Sequence, residues 1–266
     1  MFTKILNLAL VLIFLASPST VFGLAMPTNG NDLANIAGIS APTYIVADAD
    51  SGEILISKNP ELNWTAASLT KLITAMVVLD AKVKLSKQVV LAQVDQDLGA
   101  CKYGGACIKA KVGTKFTVDG LFHATLMPSA NNAASALSRS TGFSMDKFVA
   151  KMNEKAISLG AVNSYFKEPT GMDPGNIITA GDFAKIVSAT FSQPYLSKIA
   201  GLNKYFLRST NNSGYNQTIQ NTNKLLTDSE FQSLGAQTGS LNDSKYNFGA
   251  LIKEIGGGGF AGVVCG

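Results

Sequence analysis

The chain has 266 residues, enough for one large domain or two small ones. Hydrophobic residues make up 46% of it and charged residues only 15%, which excludes intrinsic disorder because disordered chains show the reverse balance. The formal net charge is +4 and lysine and arginine form no dense block, so nucleic acid is not an expected partner.

The first residues have the pattern of an export signal. Lys4 supplies a positive charge, residues 5–16 are almost entirely apolar, and small residues follow at two candidate cleavage sites, after Gly23 and after Ala25. We therefore expect residues 1–25 to be a signal peptide, with an uncleaved N-terminal anchor as the alternative. The mature protein would then consist of residues 26–266 and lie in the periplasm, in the cell envelope or outside the cell.

The middle of the chain is predicted to be mainly helical. Apolar residues at helical spacing predict a helix from residue 66 and further helices over residues 121–137 (with a break at Pro128), 145–159 and 179–191. Polar segments separate these helices. A glycine-rich stretch runs to residue 113, and an Asn-rich loop is predicted over 211–222.

Both ends of the mature chain are predicted to be strands. Residues 43–47 and 53–57 flank a turn cluster, which predicts a hairpin. Runs bounded by turn residues predict three more strands, over 234–239, 246–252 and 259–264. The expected fold is therefore α/β (α+β), with N- and C-terminal strands in one antiparallel sheet and a helical region packed on it.

The three cysteines matter because the chain is expected to be exported. Cys101 and Cys107 flank a glycine-rich loop that a disulfide could close in an oxidising compartment. Two separate thiols are the equal alternative. Cys265 is left over in either case, because three cysteines in one chain leave one unpaired.

The candidate chemistry rests on serine and lysine. The single histidine, His123, gives little support to a Ser-His-Asp triad or a histidine-based metal site, so neither a metal nor a cofactor is expected. A lysine three residues after a serine lies on the same helix face and can accept its proton if burial lowers the pKa of the amine. Three such pairs occur in the chain: Ser68 with Lys71, Ser144 with Lys147, and Ser164 with Lys167.

The context of each pair separates them. Ser144 starts a predicted helix, where an N-cap role explains it. Ser164 lies in an aromatic segment without helical spacing. Ser68 opens the first amphipathic helix, where the field at the helix N-terminus stabilises a developing oxyanion. An N-cap role is the alternative for Ser68 as well.

Two further fragments follow in order along the chain. Ser129 and Asn131 form a Ser-x-Asn element, and Gln237, Thr238 and Gly239 lie on a predicted strand near the C-terminus. Ser-x-x-Lys, Ser-Asp-Asn and Lys-Thr-Gly are together typical of penicillin-binding proteins and class A β-lactamases. Each fragment is weak alone, but their order on helix, loop and strand indicates a serine acyl-transfer site.

Over residues 42–264 the chain resembles the serine D-alanyl-D-alanine carboxypeptidases of the low-molecular-mass penicillin-binding type. The resemblance extends beyond the three fragments. It also includes the hairpin at Asp48 to Leu55, residues 67–72, Met152-Asn153, Leu159-Gly160, Gly171-Met172-Asp173 and residues 221–226.

The resemblance implies roles for the catalytic residues. Ser68 would attack the carbonyl between the two terminal D-alanines of a peptidoglycan stem peptide and form an acyl-enzyme. Lys71 would act as general base, and Ser129 would relay a proton to the leaving amine. β-Lactams would acylate the same serine and act as covalent inhibitors.

The same resemblance implies the substrate-binding residues. Asn131 would hold Lys71 and the substrate amide, and Thr238 would bind the terminal carboxylate. Gln237 and Gly239 complete the third fragment, and the backbone N–H groups of Ser68 and Ser240 would form the oxyanion hole.

The chain departs from the family pattern in two places. Gln237 stands where the family has a cation, which predicts a weakened enzyme because a neutral amide cannot neutralise a carboxylate. The chain also stops at Gly266, whereas relatives usually continue with a helix and often with a second domain. Two alternatives remain: a non-catalytic peptidoglycan-binding relative, and a class A-like β-lactamase that uses Glu168 to activate water.

Overall fold

A computed structural model describes residues 39–228, 231–254 and 258–266, so the predicted signal peptide lies outside the described residues. The strands are β1 (Thr43–Asp48), β2 (Ile54–Lys58), β3 (Trp64–Thr65), β4 (Gln88–Val90), β5 (Lys115–Thr117), β6 (Ile177–Ile178), β7 (Lys204–Arg208), β8 (Asn216–Gln220), β9 (Phe231–Leu241), β10 (Lys245–Glu254) and β11 (Gly259–Cys265). The α-helices are α1 (Thr70–Asp80), α2 (Gln93–Leu98), α3 (Val118–Leu126), α4 (Asn131–Arg139), α5 (Met145–Ser158), α6 (Ala180–Phe191) and α7 (Pro194–Ala200). Among the described helices, none is long and apolar enough to cross a bilayer.

The largest sheet joins the two ends of the described chain. Its five strands are antiparallel in the order β2-β1-β11-β10-β9. The first strand pairs with the last, from Thr43 opposite Cys265 to Asp48 opposite Phe260. The prediction of one antiparallel sheet built from N- and C-terminal strands is therefore confirmed, and β9 lies at an edge of it.

A hydrophobic core lies between the helical region and this sheet. Helix α1 is buried on almost every side, and helix α6 packs across β1, β10 and β11. Gly249 of β10 allows this close packing, because a Cβ there would lie 2.9 Å from a methyl group of Val187. The apolar side chains on the opposite face, such as Tyr44, Val46 and Phe248, are also buried.

The structure corrects two of the predicted loops. Residues 211–222 were expected to be a loop, but β8 lies within them and pairs with β7 as a hairpin. The polar composition of β8 concealed it, because Ile219 is its only buried residue and the other four are exposed. The polar middle likewise contains the short strand β4 and helix α2, whereas the break at Pro128 separates α3 from α4 as predicted.

Candidate active site

The amine of Lys71 forms hydrogen bonds with residues of both the Ser-x-x-Lys and the Ser-x-Asn fragments. Lys71 is completely buried, and its Nζ donates three hydrogen bonds, each 2.7 Å long, to Ser68 Oγ, Asn131 Oδ1 and the Thr170 carbonyl. An ammonium has three N–H donors, so this geometry satisfies all of them. The spacing of three residues therefore produces a direct contact between a serine hydroxyl and a buried amine.

Ser68 lies in a short 3₁₀ turn, Ala67–Leu69, that leads into α1. In the described structure neither the turn nor α1 has a side-chain cap, so the N-cap alternative for Ser68 is wrong. Ala67 has a φ of +48°, a left-handed conformation that disfavours a residue with a Cβ. Gly171 packs directly on this turn, because a Cβ at Gly171 would overlap the Ala67 carbonyl. The serine is thus held on a tight, strained turn, and it remains partly exposed.

Strand β9 brings the third fragment to the same place. A Cβ on Gly239 would lie only 3.0 Å from the backbone nitrogen of Ser68, so the strand passes beside the serine. Gln237 Nε2 donates to Ser129 Oγ at 2.9 Å and to the Thr238 carbonyl at 3.1 Å. The side chain of Gln237 is buried, and its Oε1 has no hydrogen-bond partner within the described part of the chain.

The remaining candidates lie on the outer part of this strand. Thr238 is half-buried, and its hydroxyl oxygen lies 3.0 Å from that of Thr222. Ser240 is exposed and pairs with Tyr246 of β10. Because β9 is an edge strand, its free side offers backbone groups to an extended peptide. The segments that meet around Lys71 therefore carry all eight residues that the sequence predicted for the site: Ser68, Lys71, Ser129, Asn131, Gln237, Thr238, Gly239 and Ser240.

The environment of Lys71 favours the neutral amine near neutral pH. Burial lowers the pKa of Lys71 to about 7, because the charged form loses its hydration, while the nearby Glu168 carboxylate opposes this effect. The neutral amine is therefore populated near neutral pH, and it can accept the proton of Ser68 Oγ.

Glu168 organises the loop that faces Lys71. Its carboxylate accepts hydrogen bonds from the backbone N–H groups of Thr170, Gly171 and Asp173, at 2.6, 2.6 and 3.3 Å. It also accepts bonds from the Thr170 hydroxyl at 2.7 Å and from Asn176 Nδ2 at 2.8 Å. These donors use the acceptor capacity of the carboxylate, so Glu168 has little left with which to activate a water molecule.

Sequence reasoning missed several residues of this arrangement. The Thr170 carbonyl is a direct partner of Lys71. Glu168 was considered only as the water-activating carboxylate of a β-lactamase, whereas the structure shows that it holds the loop that presents this carbonyl. Asn247 of β10 donates to the Thr65 carbonyl at 2.8 Å and so anchors the chain just before Ser68. The available signal was the turn-forming Glu-Pro-Thr-Gly-Met-Asp stretch, which predicts a structured loop but not its contact.

The two other Ser-x-x-Lys pairs lie outside the site. Ser144 caps α5, accepting a hydrogen bond from the backbone N–H of Lys147 at 3.3 Å, as predicted. Ser164 donates to Asp182 at 3.2 Å. Among the described residues, no three His, Cys, Asp or Glu side chains come together in a way that could hold a metal ion.

The structure joins Cys101 and Cys107 in a disulfide, with Cα atoms 5.7 Å apart. Of the two alternatives left open for these cysteines, the closed loop is therefore the one observed. Cys265 is a buried free thiol among the described residues. Burial raises its pKa to about 12, so it stays protonated and unreactive at neutral pH.

Comparison with known proteins gives consistent matches over most of the chain. A family model described as D-alanyl-D-alanine carboxypeptidase matches residues 31–257. A D-alanyl-D-alanine endopeptidase of Pseudomonas aeruginosa is 30% identical over 237 residues, covering 89% of this chain and 75% of the relative. The D-alanyl-D-alanine carboxypeptidase DacB2 of Mycobacterium tuberculosis is 33% identical over 211 residues, covering 78% of this chain and 69% of the relative.

Solved structures are similar as well. The crystal structure of a D-alanyl-D-alanine carboxypeptidase from Mycobacterium tuberculosis has a TM-score of 0.76 at 28% identity, covering 94% of this chain and 88% of the other. A mutant of the Streptomyces K15 DD-transpeptidase has a TM-score of 0.78 at 27% identity, covering 85% of this chain and 90% of the other. Both the sequence and the fold of this chain are thus similar to those of proteins that carry DD-carboxypeptidase, DD-endopeptidase or DD-transpeptidase names.

Proposed function

The chain belongs to the family of D-alanyl-D-alanine carboxypeptidases, and we propose that it removes the terminal D-alanine of peptidoglycan stem peptides through an acyl-enzyme on Ser68. The observation that supports this most strongly is the buried Lys71 amine, 2.7 Å from Ser68 Oγ and with a pKa of about 7. We also propose that the protein is exported, since its substrate lies in the cell envelope. Release of free D-alanine from a peptide ending in D-Ala-D-Ala tests the activity.

Acylation begins with proton transfer. Neutral Lys71 accepts the proton of Ser68 Oγ while the oxygen attacks the carbonyl carbon between the two D-alanines. The negative charge that develops on the carbonyl oxygen is stabilised by the backbone N–H groups of Ser68 and Ser240. Asn131 and the Thr170 carbonyl hold the resulting ammonium in place.

The leaving group requires a proton at its nitrogen. Because Gln237 Nε2 already donates to Ser129 Oγ, the hydroxyl hydrogen of Ser129 is free to point toward the substrate. Ser129 donates that hydrogen to the leaving D-alanine and recovers one from the Lys71 ammonium. Water then attacks the acyl-enzyme, with Lys71 again as base, and releases the shortened peptide.

The alternative of a class A-like β-lactamase is not supported by the environment of Glu168. That activity requires a carboxylate free to activate the deacylating water, but this carboxylate is bound by donors of its own loop. We therefore propose that β-lactams acylate Ser68 and remain attached.

Gln237, at the start of the third fragment, predicts an enzyme with a reduced rate of D-alanine release. Replacing Gln237 with lysine is expected to raise the rate of D-alanine release by roughly 10- to 150-fold, because a charge-assisted hydrogen bond to the substrate carboxylate is worth about 1.5–3 kcal/mol. The new ammonium would also donate to Ser129 Oγ, as Gln237 does now. The rates are compared by measuring free D-alanine under conditions where substrate is not saturating.

The matched control is Gln237→Met, which has a similar volume but no N–H donor. This variant is expected to be slower than the wild type, because Ser129 loses the bond that orients its hydroxyl. Equal rates in the wild-type and lysine proteins would contradict the proposed attenuation.

The pH dependence of acylation follows from the pKa of Lys71. Acylation is expected to rise from acid to neutral pH with a midpoint near 7, because only the neutral amine accepts a proton. The Glu168 carboxylate raises this pKa, so Glu168→Gln is expected to move the midpoint to lower pH. The same change should lower the free energy of unfolding by at least about 1–3 kcal/mol, because each carboxylate oxygen accepts from two or more donors and one set of them then faces an amide NH₂. Stopped-flow acylation and urea unfolding measure the two effects, and a midpoint that moves to higher pH would contradict this account.

A further inference from the structure

The disulfide loop, residues 99–107, takes no part in the mechanism described above. The bond between Cys101 and Cys107 closes it. Within it, the backbone N–H of Gly105 donates to the Ala100 carbonyl at 3.1 Å. Ala100 has a φ of +51°, which is unfavourable for a residue with a Cβ, so the loop holds a conformation that a free chain would rarely adopt.

Two backbone carbonyls of the disulfide loop bind Asn131. The Gly99 carbonyl accepts a hydrogen bond from Asn131 Nδ2 at 3.1 Å, and the Ala106 carbonyl accepts one from the backbone N–H at 2.6 Å. The other end of the same amide, Oδ1, accepts a hydrogen bond from Lys71 Nζ. The loop therefore sets the position of the Asn131 backbone. It also sets the rotation of the Asn131 side chain toward the catalytic amine, together with the Met172 sulfur, which accepts a hydrogen bond from the same Nδ2 at 3.1 Å.

The close packing around Gly99 makes the position of Asn131 sensitive to the path of the loop. A Cβ on Gly99 would lie 2.9 Å from the backbone nitrogen of Asn132 and 3.1 Å from the sulfur of Cys101. Gly99 thus lies between the start of α4 on one side and the Cys101 sulfur of the disulfide on the other. Because Cys101 and Cys107 are both partly exposed, a small thiol reagent can reach them.

We propose that the disulfide loop positions Asn131, so that Ser68 is acylated at full rate only when Cys101 and Cys107 are joined. The inference rests on the proposed function, since the rate in question is that of the Ser68 acyl-enzyme. Opening the loop frees Ala100 to leave its left-handed conformation and moves the Gly99 and Ala106 carbonyls away from Asn131. The amide then turns, and Lys71 loses the acceptor that aligns it with Ser68.

The chemistry of opening is a thiol–disulfide exchange. A dithiol such as dithiothreitol supplies two electrons and two protons; it is oxidised to its cyclic disulfide, and the bond between the two cysteine sulfurs becomes two thiols. Reduction is therefore expected to slow acylation of Ser68 by a fluorescent penicillin on the order of 10-fold or more, the effect of losing a hydrogen bond to a charged group. The double variant Cys101→Ser/Cys107→Ser should match the reduced wild type.

The double variant is also the control for the reagent. It retains Cys265, so dithiothreitol should leave its acylation rate unchanged. In an Asn131→Ala background, reduction should slow acylation no further, whereas a general loss of stability would slow both backgrounds alike. Reduced wild type that is acylated at full rate, or an equal loss in the Asn131→Ala background, would overturn the proposal.

Hydrogen exchange tests the positioning of Asn131 by the disulfide loop independently of the proposed function. The backbone amide of Asn131 should be protected in the oxidised protein and should exchange faster after reduction, because it is bound to the Ala106 carbonyl. Absence of acylation in the oxidised protein would count against the function itself. Unchanged protection of the Asn131 amide on reduction would overturn the positioning role in either case.

Discussion

Replacing Ser68 with alanine is expected to reduce D-alanine release to background, a loss on the order of 10⁴-fold or more. The hydroxyl is the atom that forms the acyl bond, and its oxygen lies 2.7 Å from the Lys71 amine that takes its proton. The measurement is the release of free D-alanine from a D-Ala-D-Ala peptide, with the fold checked by circular dichroism.

The chain supplies its own matched control for this change. Ser144 lies in the same Ser-x-x-Lys spacing but caps α5, so Ser144→Ala should leave the rate unchanged. It should instead lower the free energy of unfolding by about 1 kcal/mol, the usual cost of losing an N-cap. A Ser68→Ala protein that remains folded and keeps its activity would show that the nucleophile has been assigned wrongly.

Replacing Lys71 with methionine is expected to slow acylation by about 10²–10⁴-fold, the usual contribution of a general base. Methionine fills a similar volume but accepts no proton. The same change leaves Asn131 Oδ1 and the Thr170 carbonyl without their donor in a buried site, which should cost about 1–3 kcal/mol for each. Stopped-flow acylation by a chromogenic cephalosporin and urea unfolding measure the two effects.

The control for Lys71 separates charge from proton transfer. Lys71→Arg keeps a cation and its donors but cannot lose a proton near neutral pH, so its acylation should remain slow at every pH between 6 and 9. Rapid acylation in the arginine protein would mean that the amine acts only as a charge and that another group is the base.

The architecture and the catalytic pair could be predicted because their signals are local. Helical spacing after residue 66 placed Ser68 and Lys71 on one face, and the structure brings their side chains together. The five-stranded sheet followed from strands at both ends of the chain, where turn residues and β-branched runs are easy to recognise. The polar strand β8 was missed because only Ile219 of its five residues is buried, and its strand conformation depends on pairing with β7.

The parts that escaped prediction are contacts between distant segments. The Thr170 carbonyl is a backbone atom, which no residue type identifies, yet it binds Lys71 as closely as Ser68 does. The hydrogen bond from Gln237 to Ser129 likewise depends on how β9 packs against the turn before α4. Such contacts follow from tertiary packing, and spacing along the chain does not reveal them.

The most direct test of catalysis by Ser68 is the intact mass of the protein, produced without residues 1–25, over time after mixing with benzylpenicillin. We expect a long-lived adduct with the added mass of one penicillin, mapped by proteolysis to the peptide that contains Ser68. Hydrolysed drug without a lasting adduct would contradict the carboxypeptidase mechanism in favour of a β-lactamase. A folded protein that forms neither adduct nor product would contradict catalysis by Ser68 altogether.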